Sequence, residues 1–322
     1  MIDPKKKNVY CEFQFWKKFV SMNVDGAFSV YDDHKLEAEL VWISILKLIR
    51  EKANFFLNEK EKGLYEGLIA DGDGHTKRLH KLKTDGGSVE FIKDFPSIDS
   101  LADGAQLCAI YLYGDADMLI PKAESKGVFV ITPATLSDFV NVNKDTGKSI
   151  KRKMEFNWEF LNVNREKCNS MIIIDKFIDR WPNKNLYAIL DTLVPKKLSV
   201  PFHLTVFEKE EHGTIENLYN EILTWQKNYR SKLDIKITVC RLSEVHDRVI
   251  ITNKRWFKSG AGFDLITPEN CAENTTEINI VYPFIQNFSE VVDGSYLSSI
   301  TDASRCLRTN IKQGCGINRI LL

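Results

Sequence analysis

Short apolar runs alternate with amphipathic stretches along the first third of the chain. Runs with the β-branched and aromatic content of strands lie at residues 8–13, 106–113 and 128–132. Apolar positions recur at helical spacing over residues 36–57, and a further helix is predicted within residues 115–126. Residues 71–88 are polar with glycine pairs, which predicts a loop or hairpin tip. This alternation of strands and helices is typical of an α/β layer.

A second α/β pattern follows after residue 165. Strands are predicted at residues 171–175, 202–207, 235–240, 248–252 and 278–282. Residues 215–229 predict a helix with its apolar positions on one side, and residues 295–308 predict another. Residues 186–190 fit either a strand or a helical turn.

Two α/β domains are predicted, because 322 residues exceed the usual size of one domain. The best linker candidate is residues 141–153, which are polar, rich in lysine and arginine, and without apolar periodicity. The predicted boundaries are residues 1–145 for an N-terminal domain of unassigned type and residues 155–322 for the C-terminal domain.

Composition excludes several function classes. The 44 Lys and Arg balance 44 Asp and Glu, so contact with nucleic acid or an anionic membrane requires a local patch rather than global charge. The most apolar helical window, residues 40–57, contains several charges and is not expected to span a bilayer. No apolar stretch follows the basic first seven residues, so no signal peptide is expected and the predicted location is cytoplasmic.

The seven cysteines form no CxxC pair, so neither a zinc cluster nor a disulfide framework is predicted. Reduced thiols are the simplest interpretation, and a pairing of Cys306 with Cys315 remains an alternative. No metal and no cofactor is predicted.

Residues 242–264 (LSEVHDRVIITNKRWFKSGAGFD) carry the main candidate for chemistry. His246 and Arg248 are two residues apart, which on a strand places both side chains on one face. An imidazole beside a guanidinium suits an anionic oxygen such as that of a phosphate. Asn253 follows at the strand end and can orient a neighbour. The loop Ser259-Gly260-Ala261-Gly262 allows backbone N–H groups to approach an anion.

These residues resemble a known family. The order H-x-R-x4-N followed by a Ser-Gly loop is similar to a degenerate form of the H-x-K-x4-D signature of the phospholipase D superfamily. The runs MIIIDKFID, VHDRVIIT and SGAGFD resemble the single-copy phospholipase D-like domain at the C-terminus of some MIT-domain proteins. The resemblance covers about residues 165–290 and implies a phospholipase D-like fold for the C-terminal domain.

The resemblance also implies roles for individual residues. His246 corresponds to the nucleophile that forms a phosphohistidine, Arg248 to the phosphate clamp, and Ser259, Gly260 and Gly262 to the phosphate-contacting loop. Asn253 stands where active members have aspartate, and Arg248 where they have lysine. Active members combine two motifs. A search for a second motif finds an H-x-K at His75, but it has Leu82 at the aspartate position, so an active phosphodiesterase requires a homodimer.

Basic residues beside the motif allow further phosphate contacts. Lys254, Arg255 and Lys258 interleave with two aromatic residues, as nucleic-acid contacts do, although a solvated charged turn is an alternative. Two alternatives remain for the motif itself. His246 can be a partly buried histidine hydrogen-bonded to Asp247 or Asn253, and Arg248 can pair with Asp175 or Asp264. A second basic cluster lies beside Trp158, with a flexible linker as its alternative, and consists of Lys148, Lys151, Arg152 and Lys153.

Several carboxylates of the N-terminal half lie near predicted strand ends: Glu12, Asp32, Asp33, Asp115 and Asp117. Nucleases of PIN type arrange acidic residues in this way to hold Mg²⁺. The strand at residues 128–132 lacks the acidic residue expected directly after it. The N-terminal half is therefore interpreted as a degenerate PIN-like module or an unrelated one.

The expected function is binding of a phosphodiester or nucleic acid, or a nuclease-like hydrolysis of it. By analogy, such a protein fits a prokaryotic antiviral defence or nucleic-acid-processing system. The alternative is a non-catalytic interaction module that recognises phosphate headgroups or a protein partner. Expected partners are accordingly a nucleic acid or another phosphodiester, a second copy of the chain, or other proteins.

Overall fold

The computed structural model describes residues 7–24, 53–74, 76–77, 79–80, 89–103, 110–112, 114, 119–132, 147–162, 167–175, 177–178, 184–208, 214–241, 248–267, 271–281, 302–308 and 312–321. These residues form two β-sheets with helices packed against them. The predicted α/β class is therefore confirmed. None of the described helices is both long enough and apolar enough to cross a membrane.

The first sheet contains five parallel strands in the order β3-β2-β1-β4-β5. Its strands are β1 (Lys7–Cys11), β2 (Ala53–Asn58), β3 (Val89–Ile92), β4 (Ile110–Leu112) and β5 (Phe129–Ile131). The helices that follow β1 to β4 are α1 (Phe13–Val24), α2 (Lys62–Ala70), α3 (Ile98–Asp103) and α4 (Leu119–Lys126). The strand order reverses between β1 and β4, which opens a crevice at their carboxyl ends.

The helix predicted over residues 36–57 is wrong at its carboxyl end, because Ala53–Asn58 is the strand β2. Phe55, Phe56 and Leu57 are all buried, as in a parallel strand covered on both faces. A continuous apolar run of this kind satisfies a helical pattern by chance, since every position is apolar. Residues 36–52 lie outside the described part of the chain.

The second sheet has eight strands in the order β13-β9-β8-β7-β10-β11-β12-β6. The strands are β6 (Gly147–Ile150), β7 (Ser170–Ile174), β8 (Phe202–Glu208), β9 (Ile235–Arg241), β10 (Val249–Thr252), β11 (Trp256–Ser259), β12 (Thr276–Val281) and β13 (Lys312–Gly314). Strands β7, β8 and β9 are parallel to one another, and every other pairing is antiparallel.

Both faces of the second sheet are covered. Helices α5 (Lys184–Leu193) and α6 (Ile215–Tyr229) pack on one face, which we call the helical face, through side chains such as Ile189 and Trp225. Residues 302–308 are helical and cover the opposite face together with Ile320 and Leu321. The segment 186–190, left open between strand and helix, is thus helical.

The linker predicted at residues 141–153 is wrong for residues 147–150, which form the edge strand β6 of the second sheet. Ile150 is fully buried in the core under the helical face. The local sequence is too polar to indicate a strand, and β6 exists because it pairs with β12. Tertiary pairing thus overrides local propensity here.

The two sheets are joined by the turn that follows α4. The side-chain amide of Asn169 donates to Lys126 O at 3.0 Å, and Ser199 N donates to Ser125 O at 2.8 Å. Gly127 has φ of +68°, and a Cβ there would lie 2.7 Å from Asn169 N. Only glycine allows this close approach of the two backbones.

His203 on β8 gives the stability of the protein a specific pH dependence. Its side chain is 7 % exposed, Nδ1 has no described partner, and burial, followed by the charges of Arg319 and Lys236, lowers its pKa to about 4. The imidazole of His203 is therefore protonated near pH 6.5 in the unfolded chain, but only near pH 4 in the folded chain.

We expect the free energy of unfolding to fall by about 1–2 kcal/mol from this residue between about pH 7.5 and pH 5. Urea titrations at both pH values measure it, because His203→Gln removes this part of the loss. The exposed His80 supplies the control variant, His80→Gln. Equal pH dependence of wild type and His203→Gln would contradict the expectation.

Candidate functional site

A row of charged residues lies where the parallel strands of the second sheet end. Glu208 and Arg241 are register partners at the ends of β8 and β9. Ile174 pairs with Phe207, so the next residues of the two strands, Asp175 and Glu208, are also neighbours. Ile174 pairs with Val249 on its other side in antiparallel register, so Asp175 is also next to Arg248. Four neighbouring strands thus present Arg241, Glu208, Asp175 and Arg248 in that order, at the edge where open α/β sheets bind ligands.

Alternation along the strands places this row on the helical face. Val206, Ile173 and Ile250, each two residues away from a member of the row, belong to the core under α5 and α6. Asp175 and Glu208 are fully buried. Buried carboxylates are costly without hydrogen bonds or charge partners, so their presence marks a polar site at the end of the apolar core.

Asp175 fixes the loop that closes this row. Its Oδ1 accepts a hydrogen bond from Phe177 N at 2.9 Å, and its Oδ2 accepts one from Phe263 N. The carboxylate therefore connects the end of β7 to the loop of residues 259–264, which we call the glycine loop. Asp264, in the same loop, is also buried.

Gly262 is the point at which the side chains converge. Its φ is +99°, and a Cβ there would lie 2.9 Å from Asp175 Oδ2, 3.1 Å from Asp264 Oδ1 and 3.2 Å from the Cδ atom of Arg248. The predicted contact residues Ser259 and Gly260 belong to the same loop: the Ser259 hydroxyl donates to Gly262 O, and Gly260 N donates to Glu277 O at 3.4 Å. These bonds shape the loop from within.

Arg248 is the cation of the row that is available to a ligand. Its side chain is half-buried, and the guanidinium carbon lies 5.5 Å from the centre of the Phe177 ring. Within the described residues its guanidinium makes no hydrogen bond and no ion pair, so the alternative pairing with Asp175 or Asp264 is not observed. A planar donor fork supported on an aromatic ring suits a phosphate or carboxylate ligand.

The structure does not bring the other predicted contact residues to Arg248. Asn253, Lys254 and Arg255 follow β10 and lie at its opposite end, about 15 Å away at the rise of a strand. Lys254 and Arg255 are buried, which also excludes the alternative of a solvated turn. Lys258 lies on the other face of the sheet, with Nζ 6.0 Å from the Trp256 ring centre.

Asn253 has a structural role in the contact between the two sheets. Its Oδ1 accepts a hydrogen bond from Asn169 N at 2.9 Å, and its Nδ2 donates to Gly127 O at 2.8 Å. The Asn253 side chain is thus occupied between two backbone segments, at the opposite end of β10 from Arg248. Its predicted catalytic role beside His246 stays a prediction, because His246 lies outside the described residues.

The predicted nucleophile His246 lies outside the described residues, as does Asp247. Glu208, Arg241 and Phe177 were not predicted as members of the site. Glu208 and Arg241 each come directly after a predicted strand, as Asp175 also ends one, and this shared position is the signal that could have found them. Phe177 carries no such signal.

The crevice of the first sheet holds a second group of polar residues. Glu12 directly follows β1, and its Oε2 accepts a hydrogen bond from Gly114 N at 3.2 Å, just after β4. Glu61 accepts one from Phe13 N at 3.1 Å. Burial, and then the charges of Glu61 and Glu12, raise the pKa of the Cys11 thiol. Asp32, Asp33, Asp115 and Asp117 lie outside the described residues.

No metal-ligating cluster and no disulfide occurs among the side chains that the structure places. In particular, no three His, Cys, Asp or Glu residues in those ranges are arranged to hold a metal ion. Six cysteines fall in those ranges and none forms a disulfide, so the alternative pairing of Cys306 with Cys315 is not observed. Cys108 lies outside them.

Comparisons with known proteins add little. No family model matches the chain. No curated protein matches it either. Among solved structures, the archaeal chromatin protein TrmBL2, described with a novel mode of DNA binding, is 11% identical, with 50% of this chain and 52% of that chain covered and a TM-score of 0.27. Aa-Ago with externally bound siRNA is 12% identical, with 98% and 50% covered and a TM-score of 0.15.

The chain thus spans about half the length of either structure. With TM-scores this low, neither similarity bears on the function of this chain, and the candidate site is interpreted from its own geometry.

Proposed function

We propose that this protein binds phosphodiester groups, those of a nucleic acid in the first place, at Arg248 and the glycine loop. One observation carries the proposal. The guanidinium of Arg248 is held against an aromatic ring at the carboxyl end of the parallel strands, with its donor fork unused by any described side chain. Guanidinium groups in such positions recognise phosphate bidentately.

Among the surrounding carboxylates, Asp175 has a positioning role that its hydrogen bonds support. Asp175 is buried and accepts two backbone N–H groups, so much of its charge is compensated within the protein. It holds Phe177, on which Arg248 rests, and Phe263, next to Gly262. Asp175 thereby fixes both the ring and the loop between which a phosphate oxygen would meet the guanidinium.

The resemblance to the phospholipase D superfamily extends the proposal to a nuclease-like reaction. In that reaction His246 would attack phosphorus, the bond from phosphorus to the leaving oxygen would break, and water would later release the phosphate from the imidazole. Two copies of the motif are needed, so this extension requires a homodimer.

Replacing Arg248 tests the binding proposal. We expect Arg248→Ala to weaken binding of a fluorescent oligonucleotide by about 10-fold or more and to reduce the slope of log K against log salt by about 1, because one phosphate contact is lost. Arg248→Lys keeps the charge but lacks the planar donor fork, so its affinity should lie between those of wild type and Arg248→Ala. Arg305→Ala removes an exposed arginine on the opposite face and serves as control.

Fluorescence anisotropy at several salt concentrations measures these affinities. Unchanged affinity in Arg248→Ala would refute the proposed site. Retention on anionic lipid vesicles without binding to DNA or RNA would favour the headgroup-recognising module instead. If wild type hydrolyses a phosphodiester, loss of hydrolysis in His246→Ala with affinity retained supports the nuclease-like extension.

A further inference from the structure

Four cations at the outer edge of the second sheet have no described partner. Lys148 lies on the edge strand β6, and Lys151, Arg152 and Lys153 form the turn after it; we call the four residues the basic edge. All four are exposed, and their side chains make no ion pair or hydrogen bond in the described chain. Trp158, which the sequence places beside them, is buried and takes no part.

The basic edge lies at the same end of the sheet as Arg248. Lys148 pairs with Ile278, which pairs with Ser259, and Ser259 N donates to Arg248 O at 3.1 Å. Lys148 is therefore in the same register row as Arg248, three strand spacings or about 14 Å away. Along β6, Lys148 and Ile150 project from one face of the sheet, and Gly147 and Ser149 lie on the other. Ile150 belongs to the core under the helical face, so Lys148 is on the same face as the charged row.

The turn of the basic edge is held rigidly to the segment that follows the glycine loop. Arg152 N donates to Thr275 Oγ1 at 3.1 Å, and Lys153 N donates to Ala272 O at 2.8 Å. Lys153 adopts a positive φ of 64°. The same segment bonds back through Glu273 N to Leu265 O at 2.9 Å. Basic edge and glycine loop thus have a fixed relative position.

Nearby carboxylates do not cancel this charge on the helical face. Glu277 is the register partner of Ser149 and so projects from the opposite face of the sheet. Glu155 follows the turn and is exposed at its end. Glu273 directly follows Ala272, whose carbonyl accepts from Lys153 N. Four cations against Glu155 and Glu273 leave this edge positively charged, in a chain whose formal net charge is zero.

We infer that the basic edge binds the sugar–phosphate backbone of a nucleic-acid strand that reaches the site at Arg248. This inference rests on the proposed function and names its ligand as a polymer. A single phosphate group cannot contact cations about 14 Å apart, whereas successive phosphates of one strand can. Exposed lysines along a strand edge can also serve only to prevent edge-to-edge pairing, and this alternative predicts no effect on ligand affinity.

The test compares two variants of equal charge change. The edge variant combines Lys148→Gln, Lys151→Gln, Arg152→Gln and Lys153→Asn, the last because asparagine tolerates positive φ. The control variant carries Lys196→Gln, Lys197→Gln, Lys227→Gln and Lys232→Gln, which are exposed residues at the amino end of the parallel strands. Circular dichroism and size-exclusion chromatography establish that both variants keep the wild-type fold and association state.

Binding is measured with a labelled single strand of about 20 nucleotides, as DNA and as RNA, with the corresponding duplexes, and with a dinucleotide. We expect the edge variant to bind the strand about 30-fold or more weakly, with a salt slope reduced by about 2–3, because up to four phosphate contacts are lost. Its affinity for the dinucleotide should be unchanged, and the control variant should bind both probes as wild type does.

Each outcome separates the two proposals. Suppose that the edge variant binds every polymer with wild-type affinity, while Arg248→Ala loses affinity for both polymer and dinucleotide. This result would overturn the proposed role of the basic edge and leave the proposed function standing. Equal losses in the edge and control variants would show a general charge effect and also overturn it. Failure of wild type to bind any of these probes would refute the proposed function itself.

Discussion

Replacing Asp175 with alanine is expected to lower the free energy of unfolding by about 3–5 kcal/mol, the largest single effect anticipated for this protein. The carboxylate is fully buried and accepts hydrogen bonds from Phe177 N and Phe263 N. Its removal leaves two backbone donors without an acceptor, leaves a cavity, and takes a negative charge away from beside Arg248.

Chemical denaturation monitored by circular dichroism measures this loss. Asp175→Asn keeps the volume but presents an amide N–H₂ to one of the two donors, so we expect a smaller yet clear loss of about 2–3 kcal/mol. Asp94→Ala is the control, since Asp94 pairs with Lys60 on the surface and contributes little. A loss below about 1 kcal/mol in Asp175→Ala would contradict the assigned role.

Asn253→Asp is expected to destabilise the protein by about 2–4 kcal/mol at neutral pH, although it restores the residue type of the phospholipase D signature. The amide oxygen Oδ1 of Asn253 accepts from Asn169 N, and a carboxylate oxygen could do the same. The amide nitrogen Nδ2, however, donates to Gly127 O. A carboxylate there would direct a charged oxygen at a carbonyl oxygen.

The sign of the pH dependence distinguishes this explanation. Repulsion from Gly127 O and partial burial raise the pKa of the introduced carboxyl, and the protonated form can donate to that carbonyl. The destabilisation should therefore be largest above that raised pKa and shrink as pH falls through it toward about 4. Urea titrations at about pH 7 and pH 4.5 test this, with the exposed Asn220→Asp as control. A destabilisation that grows toward low pH would refute the explanation.

Much of the second sheet could be predicted from local pattern. The strands β7, β8 and β9 begin and end within one or two residues of the predicted ranges, and helix α6 matches its prediction at both ends. Buried parallel strands are apolar throughout, and α6 buries one stripe through Leu218, Ile222 and Trp225. In both cases the period of the apolar residues alone indicates the element.

The candidate site was only partly predictable. The spacing of the motif correctly associates Arg248 with Gly262, but it also assigns Asn253, Lys254 and Arg255 to the same site. Those residues follow the four-residue strand β10, whereas Arg248 precedes it, so they are near Arg248 in sequence but at the opposite end of the strand. Conversely, Glu208 and Arg241 are far from the motif in sequence and reach the row only through sheet pairing.

The amino-acid sequence by itself determined the α/β class, most strand positions, and the polar residues at the ends of β7, β8 and β9, because burial periodicity is a local property. Only the tertiary structure decided which of those polar residues meet. The register of β7 against β10 places Asp175 beside Arg248. The pairing of β6 with β12 turns a polar segment into an edge strand, and this strand and the turn after it place four cations at the same end of the sheet. Registers of this kind are set by side chains that pack across many intervening residues, and no window of the sequence contains both partners.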